Sequence, residues 1–119
     1  MTDTTTVVWI EIPVSDVNAA MTFYNAVFGW ALTLDTTGPN PIAVFGGGSQ
    51  VGGHLYPGAT APGSTVHLAV DDLAAATERA RLAGAEIGMG PIQIPPGRFT
   101  YISDPDGNSL GLFQPGKAA

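Results

Sequence analysis

Residues 11–20 read Glu-Ile-Pro-Val-Ser-Asp-Val-Asn-Ala-Ala, and residues 67–76 read His-Leu-Ala-Val-Asp-Asp-Leu-Ala-Ala-Ala. The two stretches align with Val14 matched to Val70 and Asp16 matched to Asp72. Residues 53–57 and 111–115, which share a glycine at the start and a proline at the end, form a second match. A repeated supersecondary unit fixes the architecture more firmly than any local pattern does. The sequence therefore predicts two copies of one module.

The same order of elements is predicted in each module, namely βαβββ. Apolar residues alternate along residues 7–14, as expected of a half-buried strand. Asp16 suits a helix N-cap, and Gly29 suits the position that ends the helix. The predicted strands are 7–14, 31–35, 42–45 and 51–56 in the first module, and 65–70, 86–89, 99–103 and 109–114 in the second, whose helix covers 73–83. Turns are predicted at residues 46–50 and 104–108, where Gly, Pro, Asp and Asn concentrate.

Composition limits the classes of partner. The 119 residues leave room for one compact domain, and ten acidic against four basic residues give a net charge of −6. Nucleic acid is not expected as a partner, because phosphate binding needs a basic face. The absence of cysteine excludes disulfides and thiolate chemistry. The N-terminal residues lack a targeting pattern and no apolar run is long enough for a membrane span, so we expect a cytoplasmic protein with no membrane partner.

The ordered motifs resemble those of a known family. They are Ile12-Pro-Val-Ser-Asp16 before a helix with Phe23-Tyr24 and Phe28-Gly29-Trp30, Val70-Asp-Asp-Leu73 before Ala83-Gly84-Ala85, and Ser103-Asp-Pro-Asp-Gly-Asn108. Over residues 7–115 the chain resembles the vicinal oxygen chelate superfamily of glyoxalases, bleomycin resistance proteins and extradiol dioxygenases, in particular bacterial glyoxalase-like proteins whose first strand reads Trp-x-Glu-Ile-Pro-Val. The resemblance implies an α+β fold in one domain, 1–119. Module one (7–57) and module two (65–115) would then be related by pseudo-twofold symmetry in a U-shaped, mostly antiparallel sheet around a cleft.

The resemblance also implies where a metal would bind. Four ligands come from the first and last strands of the modules, and the motifs map them to Trp9, Gly53, Thr65 and Gly111. None of these is a credible ligand for a divalent cation, so we expect no metal and no cofactor, which puts glyoxalase I and dioxygenase activity in doubt. Strand parity and the repeat partner Leu112 predict that His54 faces away from the cleft. A site of Glu11, His54 and His67 remains an alternative metal site.

Strand parity predicts which side chains line the cleft, because the helices must cover the aliphatic face of each first strand. Glu11 and His67 are related by the repeat and are the candidate catalytic residues, since a carboxylate beside an imidazole serves as a general base or proton shuttle. The alternative is a hydrogen-bonded pair with no chemistry. The candidate ligand-binding residues are Trp9, Phe45, Thr65, Arg98, Phe99, Tyr101 and Phe113.

Two of these residues have alternative roles. Trp9 either stacks on a flat ligand or only fills the space left by a missing metal. Arg98 either meets an anionic group of the substrate or is solvated in its Pro-Pro-Gly loop.

Three hypotheses for function follow. The first is a binding or sequestration protein that holds an apolar or aromatic metabolite or drug without a metal. The second is a metal-independent isomerase or lyase that uses Glu11 and His67 as acid and base. A metal-dependent lactoylglutathione lyase or dioxygenase is a less favoured variant of this enzyme hypothesis. The third is a scaffold with a vestigial cleft. A homodimer is expected because members of the family commonly complete their clefts with a second chain.

Overall fold

The computed structural model describes residues 6–116, and most of the N-terminal segment that is expected to lack a targeting pattern lies outside the described residues. The described chain is a mixture of helix and sheet, which confirms the α+β prediction. Its elements are β1 (Val7–Val14), α1 (Val17–Phe28), β2 (Ala43–Phe45), β3 (Gly52–Pro57), β4 (Thr65–Ala69), α2 (Leu73–Leu82), β5 (Glu86–Ile87), β6 (Ile92–Ile94), β7 (Gly97–Ser103) and β8 (Ser109–Pro115). One compact unit is formed by residues 9–64, and the other by the described residues on both sides of it.

In the unit of residues 9–64, β3 pairs in parallel with β1 and antiparallel with β2. Its core is small and contains Leu55 and Ala43, both without exposed surface, and Val17 at 7% exposure. Helix α1 begins where Asp16 Oδ1 accepts a hydrogen bond from the Ala19 amide at 3.1 Å, as an N-cap does. It ends at Gly29, whose φ of 68° is the left-handed conformation that glycine adopts without strain.

The aromatic residues of α1 do not all pack against the core. The helix contacts the core through Val17, Ala20, Met21 and Tyr24, which share one face at the i, i+3, i+4 and i+7 positions. Phe23 lies outside that face and is 60% exposed, whereas Phe28 continues the face at the end of the helix and is still 56% exposed. The apolar surface of α1 is therefore wider than the stripe that its own core covers.

The strand predicted at residues 31–35 is reduced to a single bridge between Asp35 and Ile42. The reason is that a side chain on α1 forms the hydrogen bond that a neighbouring strand would otherwise form. Asn25 on α1 accepts a hydrogen bond from the Leu32 amide through Oδ1 at 2.8 Å. The asparagine side chain therefore satisfies the backbone polar group that a strand pairing would have used.

In the other unit, β8 lies between β4, its parallel partner, and β7, its antiparallel partner. Strand β7 also pairs with β5 and with β6, and β6 was not predicted. Three residues are too few to show an alternating pattern, which explains the omission. The Gln114 side chain accepts a hydrogen bond from the Leu73 amide at 2.8 Å, which ties the start of α2 to β8.

The two predicted turns are present. Residues 46–51 join the antiparallel strands β2 and β3, and residues 104–108 join β7 and β8. In the second turn, hydrogen bonds from the Asn108 side chain and from backbone amides hold the pKa of Asp104 below its usual value. Neither helix in the described part of the chain has the length and apolar character to cross a membrane. The single-domain arrangement and the pseudo-twofold relation of the modules stay predictions.

Candidate functional site

The parallel pairing of β1 with β3 brings four polar or aromatic side chains to one face of the first unit. In this register Trp9 lies opposite Gly52, Glu11 opposite His54, and Pro13 opposite Tyr56. Residues directly opposite each other on paired strands share a face of the sheet, and so do residues i and i+2 of one strand. Trp9, Glu11, His54 and Tyr56 therefore form one group, here called the β1–β3 cluster. Its face is opposite to the one on which Leu55 enters the core.

The contacts within the β1–β3 cluster are specific. The Trp9 indole donates a hydrogen bond from Nε1 to His54 Nδ1 at 2.9 Å. On the other edge of the same imidazole, His54 Nε2 lies 3.6 Å from Glu11 Oε1. The two side chains of this last pair retain 19% and 13% of their surface, so the pair is largely withdrawn from solvent but accessible. The side chains of Trp9, His54 and Glu11 thus form a continuous chain of polar contacts.

Glycines open the space for this chain of contacts. Gly52 lies opposite Trp9 and has no side chain to separate the indole from His54. A Cβ added at Gly47, in the turn before β3, would lie 3.8 Å from Cζ3 of the indole. The turn therefore passes beside Trp9 at Gly47.

Tyr56 completes the cluster. Its ring meets the His54 ring edge to face, with centroids 5.8 Å apart. Burial raises the pKa of Tyr56, and the negative charge of Glu11 raises it further. The phenol therefore keeps its proton in neutral solution and is available as a hydrogen-bond donor.

The prediction that His54 faces away from the cleft, the side assigned to Trp9 and Glu11, is wrong, because His54 shares a face of the sheet with both residues. It came from the match of residues 53–57 with 111–115, which pairs His54 with Leu112. In the structure His67 lies opposite Gly111, just as Glu11 lies opposite His54, so Gly111 is the residue that corresponds to His54. Gly52 and Gly53 are both buried and give no alternating pattern, so strand parity could not be counted from the sequence.

His67 lies in the other unit, among aromatic rings. It is 5% exposed, meets Phe99 edge to face at 5.4 Å between centroids, and lies 5.7 Å from the Tyr101 ring. Phe99 and Tyr101 are themselves an edge-to-face pair at 5.2 Å. The ring of His67 also covers Gly111, where an added Cβ would lie 2.8 Å from Cγ of the imidazole. The structure thus groups three of the predicted site residues, and the predicted pairing of His67 with Glu11 stays a prediction.

The remaining predicted residues lie in several environments. Thr65 is buried, and its hydroxyl lies 2.5 Å from that of Ser109. Phe113 lies on β8 opposite Phe99, and Arg98 is exposed on β7. Phe45 packs on the core side of its sheet, where it stacks on Trp30 with centroids 5.2 Å apart. A pocket of about 260 Å³ near this pair is lined by Trp30, Ala31, Leu32, Thr33, Val44, Phe45 and Gly46.

Comparison with known proteins places this geometry in a family. Residues 6–112 match the family model described as the Glyoxalase/Bleomycin resistance protein/Dioxygenase superfamily. The chain belongs to this superfamily. The family resemblance that the sequence motifs indicated is therefore confirmed.

Individual relatives agree with this assignment. The chain is 29% identical to CFP32 of Mycobacterium bovis, over 89% of this chain and 44% of that protein. It is 28% identical to the anthracycline biosynthesis protein DnrV of Streptomyces peucetius, over 91% of this chain and 46% of that protein. The chain thus spans less than half the length of these relatives. The crystal structure of methylmalonyl-CoA epimerase from Mycobacterium tuberculosis is similar in fold, with a TM-score of 0.64, 18% identity and coverage of 98% and 94% of the two chains.

The positions that the superfamily resemblance assigns to a divalent metal do not fit one in this chain. The indole of Trp9 offers only an N–H donor, which is directed at His54, and the Thr65 hydroxyl is bonded to that of Ser109. Gly111 offers no side chain, and an added Cβ there would overlap the His67 ring. The β3 position that corresponds to Gly111 is held by His54 and not by the expected Gly53, and the two ring nitrogens of His54 are directed at Trp9 and Glu11. Among residues 6–116, three or more His, Asp or Glu side chains are nowhere grouped as a metal site.

Proposed function

We propose that this superfamily member binds a small, largely apolar or aromatic organic molecule without a divalent metal, and that the β1–β3 cluster contacts a polar group of that molecule. One observation carries the proposal. The polar chain Trp9, His54, Glu11 occupies the face of β1 on which the superfamily resemblance places a metal ligand. A partly buried carboxylate and imidazole next to a large indole combine polar recognition with apolar contact, as ligand sites do.

The relatives support the chemical class of the ligand. DnrV is named an anthracycline biosynthesis protein, and anthracyclines are flat aromatic molecules with oxygen substituents. The β1–β3 cluster offers an indole face for stacking and two polar side chains for oxygen substituents. The net charge of −6 disfavours strongly anionic ligands, because a charge of the same sign is repelled.

Binding tests this proposal directly. A panel of hydroxylated naphthoquinones and anthraquinones should raise the melting temperature of chelator-treated protein, because a ligand that binds only the folded state stabilises it by mass action. Glu11→Gln should weaken binding about tenfold or more, the usual effect of losing a hydrogen bond to a charged group. Glu78→Gln is the matched control, because Glu78 is an exposed carboxylate on α2 that pairs with Arg81. Binding that disappears with chelator and returns with a divalent cation would contradict the metal-independent proposal.

A second candidate function is proton transfer, as in an isomerase or lyase, with Glu11 as the base. The observation that favours it is the position of a largely buried carboxylate beside an imidazole. The predicted participation of His67 belongs to this candidate. Ketones with an acidic C–H next to the carbonyl should exchange that hydrogen with deuterated solvent, and Glu11→Gln should slow the exchange by about 100-fold. Exchange at the same rate in this variant would remove Glu11 from the role.

A homodimer is proposed as the assembled form. Phe23, Val27 and Phe28 leave an exposed apolar surface on α1, of 54% to 60% exposure, which a second copy of the chain would cover. The greater length of CFP32 and DnrV leaves room in those proteins for a second unit of this size. Light scattering should give a dimeric mass that becomes monomeric in Phe23→Asp, whereas a monomer in the unmodified protein would contradict the proposal. A cytoplasmic location stays a prediction for cell fractionation.

A further inference from the structure

The hydrogen bond between Trp9 and His54 has a chemical consequence. An indole nitrogen is a donor and never an acceptor, so the 2.9 Å contact requires a lone pair on His54 Nδ1. A neutral imidazole carries its proton on the other ring nitrogen, which here is Nε2. The protonated edge of His54 is therefore the edge that lies beside Glu11. Protonation of both nitrogens would replace the Nδ1 lone pair by a hydrogen and remove the bond to Trp9.

We propose that Trp9 is a positioning residue that holds His54 as the neutral Nε2–H tautomer, so that His54 donates a hydrogen bond to a hydroxyl group of the ligand while Glu11 accepts one from it. This inference rests on the proposed binding site and names the chemical class of its ligand, an alcohol, phenol or enol. It gives His54 the role of donor, and assigns to Trp9 a purpose beyond apolar contact.

The spacing of the two polar atoms supports a bridging hydroxyl. The 3.6 Å between His54 Nε2 and Glu11 Oε1 exceeds the usual 2.7–3.2 Å of a direct hydrogen bond. An oxygen placed at about 2.8 Å from both atoms forms a triangle with them, and both legs are ordinary hydrogen bonds. A carboxylate accepts several hydrogen bonds at once, so Glu11 can accept a hydrogen bond from the ligand hydroxyl in addition to its other contacts.

The same geometry selects among ligand groups. A hydroxyl both accepts and donates, which matches a donor on His54 and an acceptor on Glu11. A carboxylate or phosphate has no proton to give and would be repelled by the Glu11 charge. An ammonium group could pair with Glu11 but has no lone pair for His54 Nε2–H. A hydroxyl is therefore the group that satisfies both side chains.

Nuclear magnetic resonance tests the tautomer without any ligand. In ¹⁵N-labelled protein in alkaline buffer, long-range ¹H–¹⁵N spectra distinguish protonated from unprotonated imidazole nitrogens. We expect His54 to carry its proton on Nε2, and we expect a scalar coupling across the hydrogen bond from Trp9 Nε1 to His54 Nδ1. The indole of Trp30, which stacks on Phe45, is the internal control and should show no such coupling. A proton on Nδ1 of His54, or no coupling to Trp9, would overturn the inference.

Binding of a matched pair of probes tests the ligand class. A naphthol and the corresponding methylnaphthalene differ only in the hydroxyl that is replaced by a methyl group. Trp9→Phe keeps an aromatic ring but removes the N–H, and it should weaken naphthol binding by about threefold to tenfold while changing methylnaphthalene binding less. Trp30→Phe is the control variant and should leave the ratio of the two affinities unchanged.

The outcomes separate the inference from the function on which it rests. If neither probe binds, the proposed apolar binding site fails, while the tautomer result stands or falls on the spectra alone. If both probes bind and Trp9→Phe weakens them equally, Trp9 is only an apolar contact and the positioning role is wrong. A circular dichroism spectrum and melting curve of each variant establish that the fold is kept.

Discussion

Replacing Gly111 by alanine should destabilise the protein through one side chain, that of His67. An added Cβ at this position would overlap the imidazole, with Cγ at 2.8 Å and the Nδ1 edge closer still. His67 is 5% exposed and is held between Phe99 and Tyr101, so the ring cannot swing into solvent without disturbing that packing. Overpacking of a closed site costs about 1–3 kcal/mol, and we expect the upper end. Urea unfolding followed by circular dichroism measures the change, which should also lower the melting temperature by about 8 °C or more.

A double-mutant cycle isolates the cause. His67→Ala removes the ring that the new methyl group would meet, so Gly111→Ala should cost less than about 0.5 kcal/mol in that background. The control is Gly38→Ala, because a Cβ there meets nothing within 4 Å, and its effect should stay within about 0.5 kcal/mol. Equal losses from Gly111→Ala in the presence and absence of His67 would refute the packing argument. A neutral Gly111→Ala would also refute it.

Three further predictions concern the core, the site and the turn. Leu55→Ala should lower the free energy of unfolding by about 2–5 kcal/mol because Leu55 has no exposed surface, and a loss below 1 kcal/mol in urea unfolding would contradict its place in the core. The pKa of Tyr56 should fall in Glu11→Gln, since the carboxylate charge that raises it is removed. Spectrophotometric titration of the phenol measures this shift, and an unchanged titration curve would show that Glu11 does not influence Tyr56. The pKa of Asp104 is lowered in the folded protein, so the contribution of its carboxylate to stability is present above about pH 4 and is lost as the pH falls through the lowered pKa. Asp104→Ala should therefore make the free energy of unfolding fall less steeply in acid. An unchanged pH profile of stability would show that the turn does not depend on this charge.

The resemblance and the repeat made much of the fold predictable. The helix start at Asp16 followed from capping chemistry, which acts over three residues and therefore appears in the sequence itself. The turn at residues 104–108 followed for the same reason. The start of the second helix followed from the match of Asp72 to Asp16 in the repeat. The predicted strand at 31–35 was wrong because a distant side chain, Asn25, supplied the hydrogen bonds that a strand would have needed. Local pattern cannot show such a substitution.

The sequence by itself determined the family and the presence of Trp9 and Glu11 on one face of the first strand. Those features depend on residue type and on a period of two along one strand. Only the tertiary structure decided that His54 joins them, because its position depends on the register between β1 and β3. Two adjacent glycines in β3 leave that register unmarked in the sequence, and a shift of one residue moves every side chain to the other face. The hydrogen bond that gives His54 its donor edge exists only after that register is set.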